Sequence, residues 1–303
     1  MDRPTAALRP FLTLKSRYWV LGTFLIAIVS VAVPYVFLEA IQLLPSPAEA
    51  PLSVPLIEIA VWAVFTSAVL LLGRRQGLRM NFLFGQRLPA FSLFHTGLLV
   101  LGLLLFSLGS FSVFFYLLSL IFPDYASQIL ARDLLIADSS SRYQQIYNSL
   151  MLFLLLIYAP FVEEVIFRGI LLQRWSAKWG LPWGLCASSL LFGLLHVNNP
   201  LGLTLFGLVM GLLYIRTRSL WMPILCHALN NLAAVGINGL SELTGGAEAY
   251  TVEDVRAGWW GGLILMGVSA PFLLRFVRLS WPSAGDKIPY LLNASEENSD
   301  RVN

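Results

Sequence analysis

Apolar residues in this chain come in runs much longer than one face of a helix or strand requires, and short basic or proline-containing segments break them up. Runs long enough to cross a bilayer mark eight helices, at roughly 18–43, 54–73, 94–121, 149–173, 181–197, 201–215, 219–237 and 258–275. The fifth and sixth runs are short and share one tight turn, Val197-Asn198-Asn199-Pro200, which can lie below the membrane surface. The expected fold is all-α: a polytopic transmembrane helix bundle of about eight helices.

The connecting segments divide the chain further. Residues 1–93 form an N-terminal two-helix segment with a basic stretch, 94–280 the transmembrane core, and 281–303 a polar tail expected to be disordered. Within the first part, residues 74–91 mix arginines with Phe82, Leu83, Phe84 and Phe91, which suits either a helix lying at the membrane interface or a plain basic connector. Residues 122–148 read as a loop on the opposite side with some helical periodicity. The run from Tyr18 to Leu44 is too long for the apolar region of a secretion signal, so it is expected to stay as a membrane helix. Gly207 and Gly211, four apart in the sixth run, permit close helix packing.

Composition agrees with this pattern: 57% of the 303 residues are hydrophobic, 12% are charged, and the mean hydropathy is +0.73. Soluble domains carry about 25% charged residues. A net charge of +3 is too small to suggest a nucleic-acid partner. The distribution of charge is more informative. Of the 20 Lys and Arg residues, only Arg132, Arg142 and Arg256 fall in one set of alternate loops, and Arg168 falls inside a span. All others lie in the N-terminal arm, residues 74–87, 174–178 and 216–218, and the C-terminal region. The positive-inside rule then places both termini in the cytoplasm. The arm is too short to support a transit peptide, so a bacterial inner membrane is the expected location. Cys186 and Cys226 sit in apolar runs and read as packed thiols.

Against this background, PFVEEVIFR at 160–168 is out of place. An acidic side chain at a helix centre costs about 2.5–3.5 kcal/mol on an insertion scale. Glu164 and Arg168 stand four apart on one face, and their pairing offsets much of that cost. Glu163 lies about 100° round the helix and is the carboxylate left over. Pro160 cannot donate a backbone hydrogen bond, so it should distort the helix and free a carbonyl beside these residues. Two of the three histidines also fall in spans: His196 with Phe192 a turn before it, and His227 with Asn231 a turn after it. The third, His95, reads as an interface residue. Buried polar groups need partners, and one shared pocket would satisfy Glu163, His196, His227 and Asn231 together.

A carboxylate, two imidazoles and an amide suit hydrolysis of an acyl bond. Glu163 would serve as general base for water, with His196 holding the water in line. His227 and Asn231 would donate to the developing oxyanion. A scaffold or binding protein that keeps a polar pocket without proteolysis is the alternative. A proton-coupled transporter would show matched broken helices in inverted repeats, and the sequence shows none.

Glu163-Glu164-xxx-Arg168, Phe192-xxx-His196 and His227-xxx-Asn231, in this order on successive helices, resemble the CAAX protease and bacteriocin-processing (CPBP, or Abi) family of intramembrane proteases. The three motifs cover residues 163–231. The resemblance implies an endopeptidase in which Glu163 and His196 activate water, His227 and Asn231 stabilise the oxyanion, and Glu164 and Arg168 support the first motif. It implies a membrane protein or lipid-associated peptide as substrate. The family is also described as metalloprotease, and Glu163, His196 and His227 could supply the protein ligands of a zinc. Glu164, the spare acid nearby, is already matched with Arg168, which favours a metal-free mechanism.

Depth raises one conflict. Glu163, His227 and Asn231 come out at about 12–18 Å from the basic ends of their helices, whereas His196 comes out at about 23 Å if its helix starts at Leu181.

Overall fold

The computed structural model describes residues 52–86, 93–130, 141–243 and 251–300 apart from 284, with scattered positions between 8 and 41. The described residues are helical and contain no strand. In chain order the helices are α1 (Ser53–Arg75), α2 (Met80–Phe84), α3 (Leu93–Ile121), α4 (Pro123–Leu130), α5 (Arg142–Trp179), α6 (Leu181–Leu195), α7 (Pro200–Thr217), α8 (Trp221–Leu243), α9 (Val252–Ser280) and α10 (Pro289–Asp300). Five of them, α1, α3, α5, α7 and α9, are long and apolar enough to cross a membrane, and the apolar stretches of α6 and α8 are shorter. The chain is therefore an all-α membrane helix bundle. Half of the span expected at 18–43 lies outside the described residues, and its described positions from 21 to 40 are helical.

Helix ends depart from the apolar runs where polar residues cap or extend them. Helix α5 begins at Arg142 because the Ser141 hydroxyl accepts from the Gln144 amide while the Gln144 side chain accepts from Ser141. Thr251 and Asp254 make the same reciprocal box and start α9 six residues before its apolar run. At its other end α5 runs on through an amphipathic turn to Trp179 and stops at Gly180, whose φ of 89° few other residues adopt.

That extension resolves the conflict of depth. Glu163 stands seventeen residues before Gly180 and His196 sixteen after it, so the two reach the same level on either side of one turn. The start of α6 at Leu181 agrees with the sequence reading. The end of α5 does not, because a hydropathy window stops at the first polar turn.

Helix α6, at 15 residues, is about 22 Å long, short of a roughly 30 Å core. The turn after it is submerged. Asn199 is buried against the middle of α3, donating to the Ser107 carbonyl and hydroxyl at 2.9 Å and accepting from Ser110 at 2.8 Å. Helices α6 and α7 thus form a hairpin whose tip is tied to the middle of α3 through Asn199. Small residues let it close: Gly207 lies against the Ser189 backbone and Gly211 against Leu185 and Leu172. The core around it includes Leu99, Leu103, Ile166, Ile170, Phe192, Phe206, Met210 and Leu213.

The basic loops gather at one end of the bundle. Phe11 of the N-terminal arm packs edge-on against Tyr290, Arg79 and Arg218 pair with Glu297 and Glu296, and Gln173 bonds Tyr214 and Tyr290.

One expectation is corrected here. Residues 289–300 form a helix, not a disordered tail, because Tyr290, Leu291 and Ala294 share one face and pack against the core. Among the described residues of the basic stretch, Met80–Phe84 form the short helix α2, and Phe82 and Leu83 are buried in the protein. Cys226 is buried, Cys186 is partly so, and both are free thiols. His95 is exposed at the start of α3.

Candidate active site

Helix α5 is not a uniform α-helix. Leu154–Tyr158 and Val165–Leu172 have π-helical, i→i+5 bonding, and Ala159–Glu164 between them is α-helical. The first π-turn is matched to Pro160. In π register Ala159 donates to Leu154, and the following bond, from residue 160 to Leu155, has no donor because residue 160 is proline. The Asn231 side chain of α8 supplies it, donating to the Leu155 carbonyl at 2.8 Å. The carbonyl that Pro160 frees is therefore taken by a residue of the third motif.

Glu164 and Arg168 are sealed in the core. Arg168 donates to Glu164 Oε1 at 3.0 Å and to the Gly207 carbonyl at 3.1 Å. Its guanidinium lies 4.6 Å from the centre of the Phe192 ring, a cation–π distance. Glu164 Oε1 also meets His227 Nδ1 at 2.9 Å. A carboxylate paired with arginine only accepts, so that ring nitrogen carries a proton.

His196 follows the last residue of α6 and is held by its motif partner: Nδ1 lies 2.7 Å from the Phe192 carbonyl. A carbonyl cannot donate, so Nδ1 is again the protonated nitrogen and Nε2 of the neutral ring is a lone pair. The His196 ring stacks at a tilt on Phe192, with centroids 4.4 Å apart, and His227 packs edge-on against Phe206 at 4.8 Å. Phe192 therefore orients one histidine by its carbonyl and covers Arg168 by its ring.

These restraints aim two ring nitrogens at one atom. Glu163 Oε2 lies 3.8 Å from His196 Nε2 and 4.0 Å from His227 Nε2. It is buried and has no hydrogen-bond partner among the described residues. Access comes from the other members of the group, since Glu163 keeps 17% and His196 36% of its side-chain surface exposed. Glu163, His196 and His227 thus converge, while Asn231 meets α5 at the Leu155 carbonyl, eight residues before Glu163. Beside them an apolar groove of about 650 Å³ separates α5 from α8, lined by Leu156, Tyr158, Phe161, Trp221, Ile224 and Ala228. Phe161 and Ala228 are close neighbours in sequence of Glu163 and His227.

The backbone partners are what residue patterns cannot supply. The carbonyls of Leu155, Phe192 and Gly207 fix three of the polar side chains, and only the proline gave a signal for any of them.

Comparison with known proteins points the same way. A family model described as Type II CAAX prenyl endopeptidase Rce1-like matches residues 145–233. A curated protein of Bacillus subtilis (strain 168), named "Putative membrane peptidase YdiL", is 33% identical over 88 residues, which is 28% of this chain and 36% of that protein. The chain thus spans about a third of the length of this relative. No solved structure matches.

Proposed function

We propose that this chain, whose residues 145–233 belong to the CPBP family of intramembrane proteases, is a membrane endopeptidase that hydrolyses a peptide bond with water activated by Glu163 and oriented by His196. One observation carries the reading: a buried carboxylate oxygen without a partner, faced at 3.8 and 4.0 Å by two histidine nitrogens. Glu164 Oε2 is also buried without a partner among the described residues, so what sets Glu163 Oε2 apart is the pair of histidine nitrogens aimed at it.

The hydrogen-bond restraints define the chemistry. Glu163 Oε2 and His196 Nε2 are both acceptors, so a water about 2.8 Å from each would donate one proton to each and keep its lone pairs for a carbonyl carbon. Glu163 takes one of these protons as the water attacks and returns it to the leaving amine. His227 already gives one ring proton to Glu164, so it donates from Nε2 only when the ring carries both protons. Glu163, Glu164 and Arg168 together carry one net negative charge, and a protonated His227 neutralises it. In that form His227 is a charge-assisted donor beside the nascent oxyanion. Asn231 keeps one amide proton beyond its bond to Leu155 for the same use.

A zinc would be held by Glu163, His196 and His227, each histidine having its other nitrogen bonded as metal-ligating histidines do. Glu164 serves Arg168 and His227 at once, so its pairing with Arg168 is no argument against a metal. Bound zinc would supply an acidified water. The ligand types suit it, but the spacing does not. Ligand atoms of a tetrahedral zinc site with bonds of about 2.0–2.1 Å stand roughly 3.3 Å apart, and no set of His, Cys, Asp or Glu among the described residues is gathered for a metal. Every step above is therefore assigned to side chains.

We infer that the basic end faces the cytoplasm of a bacterial inner membrane, with both termini there. The substrate is a membrane protein or lipid-associated peptide whose apolar part lies in the groove between α5 and α8. The test compares membrane-protein termini in cells carrying the parent protein or Glu163→Gln. New termini that vanish in the variant are expected; identical termini would overturn the assignment.

A further inference from the structure

Several polar contacts far from the site converge on one short segment. The Asn293 side chain of α10 donates to the carbonyls of Phe82 at 2.9 Å and Arg218 at 3.0 Å. Tyr290 accepts from the Arg79 amide at 3.0 Å, and Tyr214 donates to the Leu83 carbonyl at 2.8 Å. Arg79 and Arg218 reach Glu297 and Glu296 of α10. Gly85, with φ of 63°, lies so close to the Arg218 carbonyl that a Cβ would collide with it. Leu220 donates to Phe84 at 3.0 Å and Ser219 to Gln86 at 2.6 Å. Residues 79–86 are thus held on one side by α10 and on the other by the loop that starts α8.

What this holds in place is Phe84. Its ring stacks on Phe161 with centroids 5.9 Å apart, and lies 5.1 Å from Trp221. Phe161 is two residues before Glu163, and Trp221 opens the helix that carries His227. The same two residues close one end of the apolar groove. Phe84 is a wedge between the helices whose separation sets the distances from Glu163 to His227 and from Leu155 to Asn231.

We propose that α10 is a latch that positions the site through Phe84: docked, it holds the wedge and fixes the spacing of α5 and α8; released, it lets that spacing vary. Phe84, Asn293 and Tyr290 are positioning residues and touch no reacting atom. The proposal rests on the endopeptidase reading for its effect on turnover, but not for its effect on spacing.

Two measurements test it in the full-length protein. The first is cleavage by Asn293→Asp, which keeps the side-chain size but sets a carboxylate against two carbonyl oxygens, and by Phe84→Ala. Each should lower kcat by roughly tenfold to a hundredfold, the scale of an ångström of misplacement, with KM changed less than about threefold. The double variant should lose no more than the worse single one, since both act through the same wedge. Exchange of charges in Arg79→Glu with Glu297→Arg should recover part of what either change alone removes. The second measurement is the distance between spin labels at Ile157→Cys and Leu225→Cys, in a Cys186→Ser, Cys226→Ser background. Asn293→Asp should broaden that distance. Parent-like kcat, additive losses, or an unchanged distance would each overturn the latch. If the parent itself cleaves nothing, the endopeptidase reading fails, and the spin-label distance alone decides the latch.

Discussion

Glu163 and Glu164 are adjacent and chemically identical, yet their surroundings give them opposite tasks. Glu164 Oε1 holds Arg168 and His227 together in a sealed core, whereas Glu163 Oε2 makes no hydrogen bond and is faced by two histidine nitrogens. Glu164→Gln should therefore cost about 3–5 kcal/mol, because it strands a buried guanidinium, and Glu163→Gln should leave stability near the parent value while removing activity. Melting of the two variants in detergent would show it; equal losses would contradict the division of tasks. His227 separates side-chain from metal catalysis. His227→Asn retains a donor and should remain more active than His227→Ala, with zinc content unchanged in both. Equal inactivity with loss of zinc would assign His227 to a metal. Asn231→Ala should lower turnover by roughly 100- to 1000-fold, and also lower stability by about 1–3 kcal/mol, since it leaves the Leu155 carbonyl without a donor.

Two of the elements that carry these residues are irregular, while α8 is a regular helix. Helix α5 widens into π turns on both sides of the glutamates, and α6 stops mid-bundle at a turn capped by Asn199. The Asn199 amide donates to the His196 carbonyl, and its side chain ties this turn to α3 and caps α7 through the Gly202 amide. Asn199→Ala removes that tie as well as the cap, so it should destabilise by about 1–3 kcal/mol. It should also reduce kcat far more than Glu163-independent properties such as membrane insertion. Circular dichroism on heating and single-turnover cleavage would measure both. A variant with parent turnover would show that His196 is held by Phe192 alone.

At the scale of the molecule, the N-terminal arm, the segment before α2, the α7–α8 loop and α10 meet at one end. The α6–α7 hairpin starts and ends at that same end. This arrangement predicts that a cysteine at Ser283 is labelled by an impermeant reagent only from the basic-loop side, and one at Ser141 only from the other. Labelling of both from one side would invalidate the bundle's order. The clustering of basic loops was legible from the alternation of Lys and Arg, and seven of the eight helices from apolar runs, because lipid solvation imposes both on the sequence.

The same reasoning made the polar residues of the site visible: each is costly in hydrocarbon, so each stands out one by one. What remained illegible is everything set by backbone carbonyls and by helix ends. A hydropathy run cannot register that Gln173–Trp179 extends α5, which is the extension that brings Glu163 level with His196. Nor can it register that residues 289–300, half polar, fold as a helix once Tyr290 and Asn293 find the turn of α2 and the Arg218 carbonyl. The sequence by itself determined a membrane bundle and the side chains that pay no rent there without a use. Only the tertiary structure decided which nitrogen of His227 faces Glu163, because that choice is made by Glu164, brought to it by packing and not by spacing along the chain, whereas the Phe192 carbonyl that orients His196 lies four residues before it.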